Sequence, residues 1–289
     1  MATVKSVLNQ TFPDFEIVVV DDAGTDDTES QLKKINDPRI IYVRQPSNRK
    51  ANAARNAGVA KSRAPWVCFL DSDDLWLPNR LENLKSLIES QKNSEKNIYW
   101  SSLWYDRGNG IKQVKPSCPK PESMPVMEYL LCNEGLIQTS TLCMANSVAR
   151  SFPFDEEITV HDDDDLLMRL EQAGFSLVQD SNPQVVWMAD TRADRVSLAR
   201  GIQNELDWLR KRTSMLTAKA RAAFLALHVA PRLTGLKKLQ GIWYVLKAWL
   251  TRAISTRRSA LALCATLLPP QTYQTVIRAL LKPAGHKKS

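Results

Sequence analysis

Apolar runs without polar alternation punctuate the first half of the chain, and two of them stop at acidic residues. Phe15-Glu16-Ile17-Val18-Val19-Val20, with its continuous β-branched end, predicts a buried strand, and it ends in Asp21-Asp22. Trp66-Val67-Cys68-Phe69-Leu70 reads the same way and ends in Asp71-Ser72-Asp73-Asp74. Ile40-Ile41-Tyr42-Val43 is a further strand. Between these runs the period changes. Val4 to Leu8 reads as the end of a helix, Ala23 to Thr28 as a turn capping a helix over Glu29–Ile35, and Ala51 to Ala60 as a small-residue helix. Leu81, Leu84, Leu87 and Ile88 mark a helix after Pro78. This strand–helix alternation predicts an α/β protein with a parallel, doubly wound sheet.

From 97 to 188 the pattern is less regular. The spacing predicts strands over Tyr99–Tyr105 and Ile137–Met144, a turn at Gly108-Asn109-Gly110, and a short helix over Met124–Leu131. Leu166, Leu167 and Leu170 share a helical face that opens on Asp162-Asp163-Asp164-Asp165. Two strands, Phe175–Val178 and Val185–Met188, follow. After Leu198 helical periods dominate: Ile202–Arg212, Met215–Val229, Leu236–Ile254, Ala260–Leu268 and Tyr273–Leu281. We therefore expect an α/β domain over 1–197 and a basic, amphipathic helical region over 198–289.

Charge sharpens that division. Residues 1–191 hold 20 Lys+Arg and 28 Asp+Glu, a net −8, whereas residues 192–289 hold 19 against 3, a net +16. Such asymmetry implies two functional surfaces, the cationic one facing an anionic partner. No window offers 18 uncharged apolar residues, so a membrane span is not expected. Basic helices with Trp suit an anionic membrane surface, and a helical cap on the catalytic domain is the plainer alternative. Nucleic acid is a poorer fit, because no known nucleic-acid module is recognisable. The five cysteines form no C-x-x-C pair, which argues against a disulfide framework or zinc site and for a reducing, cytoplasmic setting. Met1 runs straight into a helix-like segment, so no signal peptide is expected.

Carboxylates at the C-terminal end of a buried strand sit where open α/β sheets hold ligands. Asp71 and Asp73, two apart, can face one point if the chain bends there, and their oxygens suit Mg²⁺ or Mn²⁺. An acidic loop capping the next helix explains a bare Asp-x-Asp as well. One or two aspartates at a helix start need no function, but four in a row repel, which exceeds what capping explains.

Four segments, Ser6-Val7-Leu8-Asn9-Gln10-Thr11, Ile17 to Thr28 with Asp21-Asp22, Ala54-Arg55-Asn56-Ala57-Gly58 and Phe69 to Asp74, together resemble family 2 inverting glycosyltransferases of the GT-A fold. The resemblance implies transfer of one sugar from a nucleotide-diphosphate donor, with a divalent metal on the diphosphate. It implies nucleoside contacts at Asp21 and Asp22, a place near the nucleotide for Arg55, and metal ligation by Asp73 with Asp71. It gives the acidic pair at the helix start the role of catalytic base, here Asp163 first and Asp162 second. Gln138, Thr139 and Ser140 fall on the acceptor side, although strand packing accounts for part of that match. Arg192 and Arg195 fall in a loop near the diphosphate, or in a merely solvated one. The acceptor implied is a cell-surface glycan or lipid-linked precursor, such as a lipopolysaccharide or exopolysaccharide intermediate. The enzyme would sit peripherally on the inner face of the cell membrane.

Two departures accompany the resemblance. Arg49-Lys50 stands where the family often has glycine after the asparagine equivalent to Asn48. Family members also open with a strand before the helix that ends at Leu8, and here Met1 lies within that helix. A sheet lacking that central strand should leave unpaired edges on two neighbours, which implies a start that lies further upstream, a fragment, or a catalytically inactive relative that binds a glycan or partner. A nucleotidyltransferase is the other rival, but no glycine- and basic-rich triphosphate loop opens the chain.

Overall fold

The computed structural model describes residues 1–106, 108, 112–188, 201–269 and 272–273. The chain divides into two compact units, residues 1–130 with 134–198, and residues 131–133 with 199–289.

The first unit begins with α1 (Ala2–Leu8), β1 (Ile17–Asp21), α2 (Thr28–Ile35), β2 (Ile40–Arg44), α3 (Lys50–Lys61), β3 (Trp66–Cys68), β4 (Leu75–Trp76) and α4 (Arg80–Ser90). β5 (Asn97–Asp106), β6 (Lys112–Lys115), α5 (Val126–Cys132), β7 (Cys143–Ala145), α6 (Asn146–Ser151), α7 (Asp162–Gln172) and β8 (Ser176–Met188) follow. The three-residue 3-10 turn Thr139–Thr141 precedes β7, so the expected Ile137–Met144 strand is shorter than its apolar pattern implies. The strands expected at Phe175–Val178 and Val185–Met188 are parts of β8, which pairs with β5 in parallel across a register shift at Ser101–Leu103.

The sheet is divided and mixed. β1 and β2 form a parallel two-stranded sheet, and a six-stranded sheet runs β3-β7-β5-β8-β4 with β6 on β5. β3 is antiparallel to β7 instead of joining a fully parallel sheet. The parity of the hydrogen bonds shows what separates the two sheets. The Ile17 N–H donates to the Arg39 carbonyl, and the Asp21 carbonyl accepts from Gln45 N–H, so the odd positions of β1 serve β2. Val18 and Val20 therefore turn their backbone groups to the opposite edge, where no strand pairs with them among the described residues. In β3, Phe69 N–H and the Pro65 carbonyl bond to the β7 side, which leaves Trp66 and Cys68 facing an open edge. Both edges border one apolar cluster: Ile17 and Cys68 pack against the core of Val7, Trp76, Leu103 and Val185. These are the two unpaired edges expected from the motif comparison.

In the second unit, α8 (Ile202–Arg212), α9 (Ala218–Phe224), α10 (Lys237–Leu250) and α11 (Thr256–Leu267) match the expected helices to within a few residues. The Met215–Val229 segment starts later and passes from α9 into a π-helical turn over Leu225–Val229. Trp208 stacks on Phe224 with centroids 4.9 Å apart, and both are buried. Gly241 lets α10 approach closely, since a Cβ there would stand 3.0 Å from Thr266 Cγ2 and 3.1 Å from the Ala230 carbonyl oxygen. The expected helix over Tyr273–Leu281 lies outside the described residues apart from its first position. No described helix is long and apolar enough to cross a membrane. The five cysteines form no disulfide with one another.

Candidate active site

Asp71 follows β3, where the apolar run gives way to a tight turn closed by Asp74 N–H on the Asp71 carbonyl, 3.1 Å. One Asp71 oxygen accepts from Arg55 Nη2 at 2.8 Å, and the other from Gln138 Nε2 at 3.3 Å. Asp73 is exposed at the tip of this turn. Asp74 is wholly buried and binds inward, accepting from Gln138 Nε2 (2.8 Å), Ser140 Oγ (2.6 Å) and Met188 N–H (3.2 Å). Burial first, and then the charges of Asp71 and Asp73, outweigh those hydrogen bonds and push its carboxyl up to about 6. Ser140 also accepts from the Asp71 N–H at 3.0 Å, so the 3-10 turn and the strand-end turn are tied together through Asp74.

The four aspartates opening α7 do not share one environment. Asp162 Oδ2 accepts from Arg55 Nη1 at 2.5 Å. Asp163 accepts from both the N–H and the hydroxyl of Thr139. Asp164 lies 3.0 Å from His161 Nδ1, and buried Asp165 accepts from Arg169 Nε at 2.8 Å. Mutual repulsion is relieved by four separate partners, and Asp164 and Asp165 serve the helix and its packing. At Asp163, desolvation first and then Asp162 push the carboxyl up to about 7, against Arg55 and the Thr139 bond.

Arg55 links the two acidic groups. Its helix, α3, is fastened to the segment before α7 by Asn52 on the Asp155 and Ile158 carbonyls, and by Asn56 paired with the Phe154 backbone. That places the guanidinium over the Phe154 ring, 5.0 Å to its centroid, between Asp71 and Asp162. Burial works against its charge, but Asp71, Asp163 and Asp162 together outweigh it and hold the group protonated.

Asp21 and Asp22 lie apart from this cluster in their hydrogen bonding. Asp21 is buried and accepts from Tyr42 (2.6 Å), Arg44 (2.8 Å) and Gly24 N–H (2.6 Å). Its Tyr42 and Gly24 bonds hold its carboxyl below the usual range. Asp22 accepts from the N–H groups of Arg49 and Lys50 at 2.7 Å each, anchoring the start of α3. The side chain of Arg49 pairs with Glu156 at 2.5 Å. Arg192 and Arg195 lie outside the described residues.

Asp162, Arg55, Asp71, Gln138 and Ser140 are thus brought into one hydrogen-bonded network, and the Thr139–Asp163 pair adjoins it through the chain neighbours Gln138 and Asp162. Sequence reasoning missed Asp74, Tyr42 and Asn52. Asp74 had a signal, a third acid closing the turn before an apolar pair, but an acidic loop residue reads as solvated. The site holds more carboxylates than cations, and Asp73 and Asp71 stand at a strand end as hard oxygen donors. That donor set fits a hard divalent cation.

Residues 2–95 match the family described as Glycosyl transferase family 2. The amylovoran biosynthesis glycosyltransferase AmsB of Erwinia amylovora is 27% identical over 215 residues, covering 72% of this chain and 71% of that protein. WfaP of Escherichia coli, named a UDP-Glc:alpha-D-GlcNAc-diphosphoundecaprenol beta-1,3-glucosyltransferase, is 32% identical over 155 residues. That match covers 53% of this chain and 59% of WfaP. The crystal structure of S. aureus TarS 1-349 in complex with UDP superposes with a TM-score of 0.61 at 18% identity, covering 96% of this chain and 86% of that one. Residues 2–95 are therefore similar to family 2 glycosyltransferases, and the fold is of the GT-A type with a helical C-terminal part.

Proposed function

We propose that this protein is a metal-dependent, inverting hexosyltransferase that moves a sugar from a nucleotide-diphosphate donor to a glycan or lipid-linked acceptor of cell-surface polysaccharide synthesis. The observation that carries the reading is the Arg55 bridge from Asp71 to Asp162, beside a carboxyl poised near neutrality. Asp163 takes the proton of the acceptor hydroxyl as its oxygen attacks the anomeric carbon. The bond to the diphosphate oxygen breaks in the same displacement, its electron pair leaves with the diphosphate, and the configuration inverts. Thr139 fixes the Asp163 carboxylate, and Arg55 sets the charge around it. Asp162 is the second candidate for the base. Asp73 and Asp71 would hold Mn²⁺ or Mg²⁺, which supplies positive charge against that growing on the departing diphosphate. Asp21 and Asp22 shape the nucleoside side of the pocket, and Arg192 and Arg195 serve the diphosphate. Gln138 and Ser140 support the acceptor side. The acceptor lies at the inner face of the cell membrane, where the basic C-terminal helices meet anionic lipid.

The open edges of β1 and β3 favour a rival reading, a non-catalytic relative that binds glycan or partner. Calorimetric titration of UDP, GDP and dTDP with Mn²⁺ separates the two. Metal-dependent binding of one nucleotide, lost in Asp73→Ala and kept in Asp163→Asn while transfer disappears, is the expected result. Absence of nucleotide binding, with or without metal, would refute the transferase reading.

A further inference from the structure

The helices of the second unit do not hide their apolar surface equally. Trp208, Phe224 and most of α9 are buried, whereas α10 buries only Gly241, Val245 and Ala248. On the opposite side of α10 and its cap, Leu236, Leu239, Trp243 and Leu250 are 90%, 69%, 57% and 67% exposed. Leu246 and Trp249 are exposed too, and Ile242 is half-buried. At ~100° per residue these seven side chains fill an arc of about 140°. Lys238 borders it on one side, its Nζ also reaching the Leu267 carbonyl at 3.1 Å, and Lys247 borders it on the other.

We infer that α10 is a membrane-docking helix that lies in the headgroup plane of an anionic phospholipid bilayer, with Leu236, Leu239, Trp243, Leu246 and Leu250 inserted. The inference gives the lipid-linked reading above its membrane contact, and rests on that reading for its purpose. Charge selects lipid as the occupant. From 208 to 289 the sequence holds 16 Lys+Arg and no acidic residue, which complements an anionic surface. Arg257 lies in the first turn of α11, where a cation opposes the helix dipole, so its placement does not serve helix stability, while Arg258 beside it donates to the Leu131 carbonyl. The spacing of the five inserted residues also matches the seam of two paired helices. The stripe is wider than such a seam, because Ile242 and Trp249 extend it, and two of its members are Trp, suited to an interface.

Cosedimentation of the full chain with phosphatidylcholine vesicles, with and without phosphatidylglycerol, tests this. These vesicles contain neither nucleotide nor acceptor, so a failure here leaves the transferase reading standing, and the converse holds. The wild type should bind only the anionic vesicles. Leu239→Glu with Trp243→Glu should weaken that binding about tenfold or more, with circular dichroism and nucleotide binding unchanged. Lys247→Glu with Arg257→Glu should weaken it and flatten its salt dependence. Wild-type protein that ignores anionic vesicles, or binding that survives the Leu239 and Trp243 changes, overturns the inference. A wild-type dimer that dissociates on the same substitutions, without vesicle binding, assigns the face to a second copy and also overturns it.

Discussion

Replacing Asp163 by asparagine should reverse the sign of a stability difference across the pH scale. Burial, and then Asp162, push this carboxyl up to about 7 in the folded protein, against ~3.9 in an unfolded chain. Between those values the folded state keeps a proton that the unfolded state has released. The contribution of the protonated group is therefore complete below about pH 3.9, falls as the pH rises, and is gone above about 7. At ~1.4 kcal/mol per tenfold, the full span is worth ~4 kcal/mol. Asp163 is half-buried, not sealed, and solvent screening reduces this to ~2–3 kcal/mol. The amide has no charge to desolvate, but it offers one acceptor to two Thr139 donors, a loss of ~1 kcal/mol. The variant should be slightly less stable than wild type near pH 4, and more stable by ~1–2 kcal/mol near pH 8.5. Urea unfolding followed by circular dichroism at a series of pH values reads this directly. A stability difference that stays constant over the range would mean that Asp163 titrates as a free carboxyl, and the argument for its role as a base would lose its physical support.

Arg55→Met removes the charge that pulls the Asp163 carboxyl down, so the acidic limb of the kcat/KM profile should move to higher pH. The maximal rate should fall about 100-fold or more as Asp71 and Asp162 lose their shared partner; a limb that stays in place counts against the bridge. Asp74→Asn turns an amide donor toward the Gln138 and Ser140 donors and should cost ~2–3 kcal/mol in urea unfolding. A loss under ~0.5 kcal/mol would show that the Asp74 network does not hold the turn.

Local pattern carried much of this molecule. The strands at Ile17 and Trp66 were legible because four or five apolar residues in a row have few alternatives, and α8 was legible to the residue. The mixed sheet was not, because strand direction depends on pairing between segments as distant as β3 and β7. The candidate site divides the same way. Asp71, Asp162 and Asp163 stood out as acids at element ends. Arg55 reads from its motif as a nucleotide neighbour, and nothing in the sequence announces its bond to Asp162, 107 positions away. Thr139 falls on the acceptor side by its motif, and no local pattern announces that its N–H and hydroxyl donate to Asp163. The acidic run at α7 looked like one repelling cluster because its four partners, on separate segments or on its own helix, converge only after folding.

Among the described residues no strand pairs with the outer edges of β1 and β3, and this bears on how the chain behaves in bulk. An unpaired strand offers its amides and carbonyls to any chain that passes. Along Ile17–Val20 no lysine, proline or glycine interrupts that offer, and the four side chains are apolar and β-branched. Intermolecular sheet growth in a concentrated sample should therefore nucleate at β1, not at the basic helices, and precipitates should carry the infrared signature of β-structure. A charge introduced at Val18 should keep such samples clear.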